Sequence, residues 1–501
     1  MLTYKSLFKK RTGIILLNTA VILVFVYLMY PFVDITKFEG FNSDSAIRLN
    51  MISESTPLLE NIYAWGDGRC GSILVVISKL SYLIFSPKFI LILINILIST
   101  FLVLGFSIPI IKGSNMFIFP LSLLFFVTAL RFLPTQNSET LLLVTVDLGH
   151  RPDLLLFLNA MAFFSVKNFF ENKRDYLILT IVSICATWIS DMSLFILLSL
   201  CLFLSLVDLF KNKKIQLWYW AVFCCTLAVH VLLKGFTPYG SYLYKFATLS
   251  QFKSEFVNAI RNLYLICPKF LWIAMLVLNL CFGILYLYLR YKNIKITKIM
   301  RFYFRYWVIL LIMVFASFSL PFFNDWFYAN LMLVRYLAPS LHLLMLCSSV
   351  CVCGMLHVTT ILKDKRIFFI TWSIFSVLLL LFLPAFFSLR SEFINHPLSQ
   401  KYTSGQVLAQ NCDSVLGDYW TSYVYILGGF GRIKTGSLGY DRSRSNLEQV
   451  LSESNLCIVE SSQNNFREEY RVIDKTLKPR NSEDNPIKLP DGNYFKHYVN
   501  I

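Results

Sequence analysis

Acidic residues are scarce in this chain: 29 Asp and Glu stand against 46 Lys and Arg in 501 residues, and charged residues together make up 15%. Its long apolar runs do not alternate with polar positions. That excludes a transmembrane barrel, whose strands need a period of two. Repeated halves are missing, as are Gly/Pro-broken helices in matching positions, so the sequence marks of a secondary transporter are absent. The basic N-terminus leads into Gly13–Val33 with no small-residue cleavage site, which reads as a retained span rather than a signal peptide. Cys351-Val-Cys353 has no further ligand at suitable spacing, so no metal site is expected there.

What is present is apolar. The chain is 56% hydrophobic with a mean hydropathy of +0.61, and its runs repeatedly reach the length of about 20 residues that crosses a bilayer. Helices satisfy their own backbone groups in lipid, so the fold class is a polytopic α-helical membrane protein. The net charge of +17 is no sign of a nucleic-acid partner. Its cations cluster between spans, at Lys5–Arg11, Lys167–Arg174, Lys211–Lys214, Arg290–Arg305 and Lys363–Arg366, as short cytoplasmic loops require.

That rule sets the N-terminus in the cytoplasm. The first span then delivers the polar stretch Asp34–Gly71 to the outside. Ser72–Phe85 is short and interrupted by Lys79. Read as a full span it would put the later basic loops outside, whereas a helix lying at the outer interface keeps them inside, and the second reading is preferred. Spans follow at Phe89–Ile111, Met116–Leu133, Leu154–Phe170, Tyr176–Ile189, Ser193–Phe210, Leu217–Leu233, Phe270–Leu289, Trp307–Phe322, Tyr336–Leu356 and Phe368–Phe387. With the first, this makes about eleven and leaves the C-terminus outside. From Ser388 the composition turns polar. Val415–Gly417, Gly431–Lys434 and Leu456–Glu460 read as strands and Asn446–Ser454 as a helix, which gives a small C-terminal α/β domain over residues 388–501. A Cys412–Cys457 disulfide is one option there.

The ionisable residues gather on one side of this topology. The outer ends carry Asp44, Asp67, Arg69, His150, Arg151, Asp153, Asp191, Lys234 and Arg335. Charges at membrane depth are costly, so their collection marks a site, although any one alone could be an interfacial anchor or a helix cap, as Asp153 after Pro152. Two chemistries would use such a face. In glycosyl transfer from a lipid-linked sugar, a carboxylate takes the acceptor's proton and cations hold the phosphate. Transport of a lipid-linked sugar or glycan is the alternative, and a membrane-anchored binding module is a more distant one.

Several short motifs resemble the GT-C superfamily of integral-membrane glycosyltransferases, which use polyprenyl-phosphate sugars. Asn42-Ser43-Asp44-Ser45-Ala46 looks like the acidic motif after helix one, and Trp65-Gly66-Asp67-Gly68-Arg69-Cys70-Gly71-Ser72 like the segment leading to an interfacial helix. His150-Arg151-Pro152-Asp153 resembles an Arg/Pro/Asp signature, and Trp188–Ser193 a polar hairpin tip, with Asp191 where a Lys is frequent. Arg335-Tyr336 followed by Pro339 resembles an Arg-Tyr-x-x-Pro element, and Gly417-Asp418-Tyr419-Trp420 a Tyr-Trp segment of some outer domains. The resemblance implies Asp44 as the catalytic base and Arg151, Lys234 and Arg335 as donor-phosphate ligands. Asp67, Arg69, His150, Asp153, Asp191 and Tyr336 would line the site. Because no second acid stands beside Asp44, no metal and no cofactor are expected. Size and layout are similar to inner-membrane enzymes that decorate O-antigen in the periplasm with glucose from undecaprenyl phosphate. Partners would then be the lipid-linked donor, a glycan acceptor and membrane lipid.

Overall fold

The computed structural model describes residues 18–37, 43–53, 63–64, 67–108, 121–122, 151–168, 173–213, 216–235, 269–292, 296–323, 337–361, 386–439, 443–481 and 484–500, with a few single positions between them. The first described element is α1 (Asn18–Lys37), which tightens to 3-10 geometry where Pro31 enters. A helix α2 (Ser43–Ser53) and a small hairpin, β1 (Tyr63–Ala64) with β2 (Asp67–Gly71), lead to the short α3 (Ile73–Tyr82). Pro87 then opens α4 (Pro87–Ser107), where its missing N–H costs nothing.

The bundle continues with α5 (Arg151–Asn168), α6 (Lys173–Ile189), α7 (Met192–Asn212), α8 (Leu217–Lys234), α9 (Lys269–Tyr291), α10 (Lys298–Ser319) and α11 (Ala338–Ile361). Seven of the described helices, α1, α4 and α7 to α11, are long and apolar enough to cross a membrane. The protein is thus a polytopic helical membrane protein. Of the eleven expected spans, α5 and α6 are present as helices of 18 and 17 residues but are not among these seven. Helix α3, expected as an interfacial helix rather than a span, is the short helix between hairpin and α4. Met116–Leu133 and Phe368–Phe387 lie almost entirely outside the described residues. The largest shift of a described boundary is at α10, which begins at Lys298, not Trp307, because Thr297 caps it by accepting the Met300 N–H. Part of the basic stretch expected as loop is therefore helix.

The centre of the bundle is α11, the span most enclosed by protein, which packs against α9 and α10. A polar knot ties these three together. Asn279 on α9 donates to Ser348 of α11 (3.1 Å) and accepts from the indole of Trp307 on α10 (2.7 Å). A buried amide at this depth is stable because both its ends are satisfied by neighbouring helices.

The C-terminal domain starts with α12 (Gln400–Asn411) and β3 (Ser414–Gly417), followed by two short helices, α13 (Tyr419–Ser422) and α14 (Ile426–Gly429). Then come β4 (Lys434–Ser437), α15 (Arg444–Ser452), β5 (Leu456–Glu460), β6 (Tyr470–Val472), β7 (Lys475–Pro479), β8 (Ile487–Lys488) and β9 (Tyr494–Asn500). Its sheet runs β4-β3-β5-β9-β7-β6, with β8 also on β9; β4, β3 and β5 are parallel and the rest antiparallel. Alternation along the strands serves two cores. Val415, Cys457 and Val459 join the core shared with the bundle, while Leu416, Leu456 and Ile458 meet Leu447, Val450 and Leu451 of α15. The expected second strand moves from Gly431–Lys434 to β4. Gly431 adopts φ +74 and turns the chain instead, with Ile433 N–H on the Gly429 carbonyl. Cys412 and Cys457 form a disulfide with Cα atoms 5.9 Å apart.

This domain is docked on the first loop. Asn50 of α2 donates to the Thr435 hydroxyl of β4 (2.8 Å), and both are buried. Tyr82 of α3 meets Phe430 edge-on at 5.7 Å, and Gly431 sits against Pro87 at the start of α4.

Candidate functional site

Helix α2 opens at Ser43, so Asp44 falls in its first turn, one turn before the buried Arg48. An anion suits that turn, where backbone N–H groups lack partners. The side chain of Asp44 lies outside the described ones, as do those of Asp67, Arg69 and Arg151, whose backbones belong to β2 and the start of α5. His150, Arg335 and Tyr336 fall wholly outside the described residues.

The three remaining site candidates are fully visible, and each has a partner. Asp153 is completely buried in the first turn of α5. One of its oxygens accepts the Ile73 N–H (3.0 Å) and the Ser72 hydroxyl (3.2 Å), and the other accepts the Leu154 N–H (3.1 Å). Arg48 on α2 couples to it electrostatically. Asp153 thus caps α3 from another helix, where a negative charge is favoured, and pins the loop exit to the bundle. Its acceptor capacity is largely spent on structure.

Asp191, at the tip between α6 and α7, receives Lys234 from the end of α8 at 2.8 Å and the His230 ring at 3.5 Å. Both acid and lysine side chains are mostly buried, at 10% and 23% exposure, so this is a shielded pair rather than a surface one. The Lys234 ammonium also lies 5.8 Å from the Tyr63 ring of β1, at cation–π range. Lys234 is therefore one half of an ion pair, not a lone cation.

A close contact joins the hairpin to the same tip. A Cβ on Gly71 would collide with the Trp188 indole, so only glycine lets β2 approach α6 this far. The structure hence brings β1–β2, the start of α5, the tip at Asp191 and the end of α8 to one end of the bundle, beside α2. Asp153 and Asp191 are thus both engaged by neighbouring groups.

Arg48, His230 and Tyr63 escape the sequence reading. Arg48 carried a signal, standing four residues after Asp44; His230 and Tyr63 stand in apolar and mixed surroundings with no local mark. Among the described residues, the only metal-type cluster is Cys412, Cys457 and His497. Its two sulfurs are bonded to each other, which removes the thiolates a metal would need. No known protein-family model matches this sequence, and no characterised protein matches it at a significant level.

Proposed function

We propose that the protein is a metal-independent, inverting glycosyltransferase that moves a sugar, best taken as glucose, from undecaprenyl phosphate to a glycan such as O-antigen. The observation that carries this reading is the gathering of the first-loop elements, the start of α5 and the Asp191–Lys234 pair at one end of a membrane bundle, under a polar domain. The disulfide supports an oxidising compartment for that domain, and so supports placing the site on the periplasmic face of a bacterial inner membrane.

On this reading the acceptor hydroxyl attacks the anomeric carbon while Asp44 takes its proton. The bond to phosphate breaks, and polyprenyl phosphate leaves toward Arg151, Arg335 and the Lys234 pair. A lipid tail would lie along the outer faces of the helices. Mass spectrometry of surface glycans from a host with and without the gene tests this. One added sugar per repeating unit is expected; identical glycans would overturn the reading.

A further inference from the structure

The three parallel strands of the C-terminal domain put their carboxyl ends on one edge, and the chain reverses direction across the sheet there. From β3 it crosses through α13 and α14, on the face packed toward the bundle, to β4. It then returns through α15, on the opposite face, to β5 on the other side of β3. Open α/β sheets bind ligands at such a reversal, just beyond the carboxyl ends of the two strands that flank it. Here those ends are Gly417 of β3 and Glu460 of β5.

The residues at this place are not those of a closed core. Trp420 stands directly after β3 and is 60% exposed. Its ring is nonetheless fixed: it stacks edge-on against Tyr419 at 4.9 Å, and Tyr419 leans on the fully buried Tyr423 at 5.5 Å. The backbone N–H of Trp420 donates to the Asp418 carboxylate at 3.0 Å, which caps α13. Exposed polar side chains follow the same two strand ends, Asp418 after β3 and Ser461, Gln463 and Asn464 after β5. The short helix that carries Trp420 also packs against α2, the helix of Asp44.

We infer that Trp420 is a stacking platform for a pyranose ring of the glycan acceptor. A sugar shows its axial C–H groups on one face and its hydroxyls around the rim. The electron-rich indole face suits the first, and the Asp418 carboxylate beside it, with the amides at the neighbouring strand end, suits the second. The polar neighbours favour a sugar over a lipid surface, which would want an apolar rim. This inference rests on the transferase reading for its choice of acceptor, but its test needs no turnover.

The full-length protein in detergent, without donor, would be titrated with tetrasaccharides ending in glucose, galactose, rhamnose or N-acetylglucosamine. Binding of at least one is expected, weakened about tenfold or more in Trp420→Ala and less in Trp420→Phe, with circular dichroism and melting temperature unchanged. Equal binding by wild type and Trp420→Ala, or no binding of any of the four by wild type, would overturn the inference. Trp-dependent binding by a protein that transfers no sugar would sink the transferase reading alone. Transfer with an acceptor KM unmoved in Trp420→Ala would sink the platform alone.

Discussion

Removing the Asp44 carboxylate is the sharpest change at the scale of one residue. As a general base it would contribute about 10²–10⁴-fold, so Asp44→Asn should abolish most transfer while the protein stays folded and inserted; purified enzyme assayed for turnover checks this. The Asp191–Lys234 pair makes a different prediction. Lys234→Ala removes the closest cation from a mostly buried carboxylate and leaves it the His230 ring, so a loss of about 1–3 kcal/mol follows once its partial exposure is allowed for. Asp191→Asn combined with Lys234→Ala should cost less than the sum of the singles, read as melting temperature in detergent. His497 supplies the pH term. Burial first, then Arg480, holds its ring below the usual histidine range. Such a group takes its proton first in the unfolded chain, so the C-terminal domain should weaken as pH falls through about 6.5. His497→Gln should flatten that part of the profile.

At the scale of elements, α3 is the piece most dependent on others. Its N-terminus is held by Ser72, which accepts the Val75 N–H, and from across the bundle by Asp153. Asp153→Asn keeps the shape but turns one acceptor into a donor facing other donors. It should therefore cost about 2 kcal/mol or more and lower activity through the loop, whereas Ser72→Ala should cost nearer 1 kcal/mol. The contrast shows what was legible in the sequence and what was not. The continuous apolar runs announce the spans because lipid demands them, and strands β3 and β5 announce themselves by short apolar runs. The double use of Asp153 was not legible, because two of its donors, Ser72 and Ile73, lie 81 and 80 residues earlier. The same holds for Lys234, whose partner is 43 residues away. Strands β6 to β8 were missed because they are short and polar and form by pairing in the sheet rather than by local preference, and β9 because Lys496 and His497 interrupt its apolar positions.

For the whole molecule, the C-terminal domain is a built part of the bundle's end, since Asn50–Thr435 and Tyr82–Phe430 tie it to α2 and α3. Its disulfide closes a separation of 45 residues, worth about 4 kcal/mol in chain entropy; Cys412→Ser should lower the melting of the domain accordingly. The proposed transfer requires that a lipid-linked sugar be consumed at this end, whereas transport would only move it past. Proteoliposomes holding the purified protein, radiolabelled undecaprenyl-phosphate glucose and purified O-polysaccharide separate the two. The expected result is label passing to the water-soluble glycan with release of undecaprenyl phosphate, and losing that transfer in Asp44→Asn. Label that changes leaflet but stays on the lipid would contradict it.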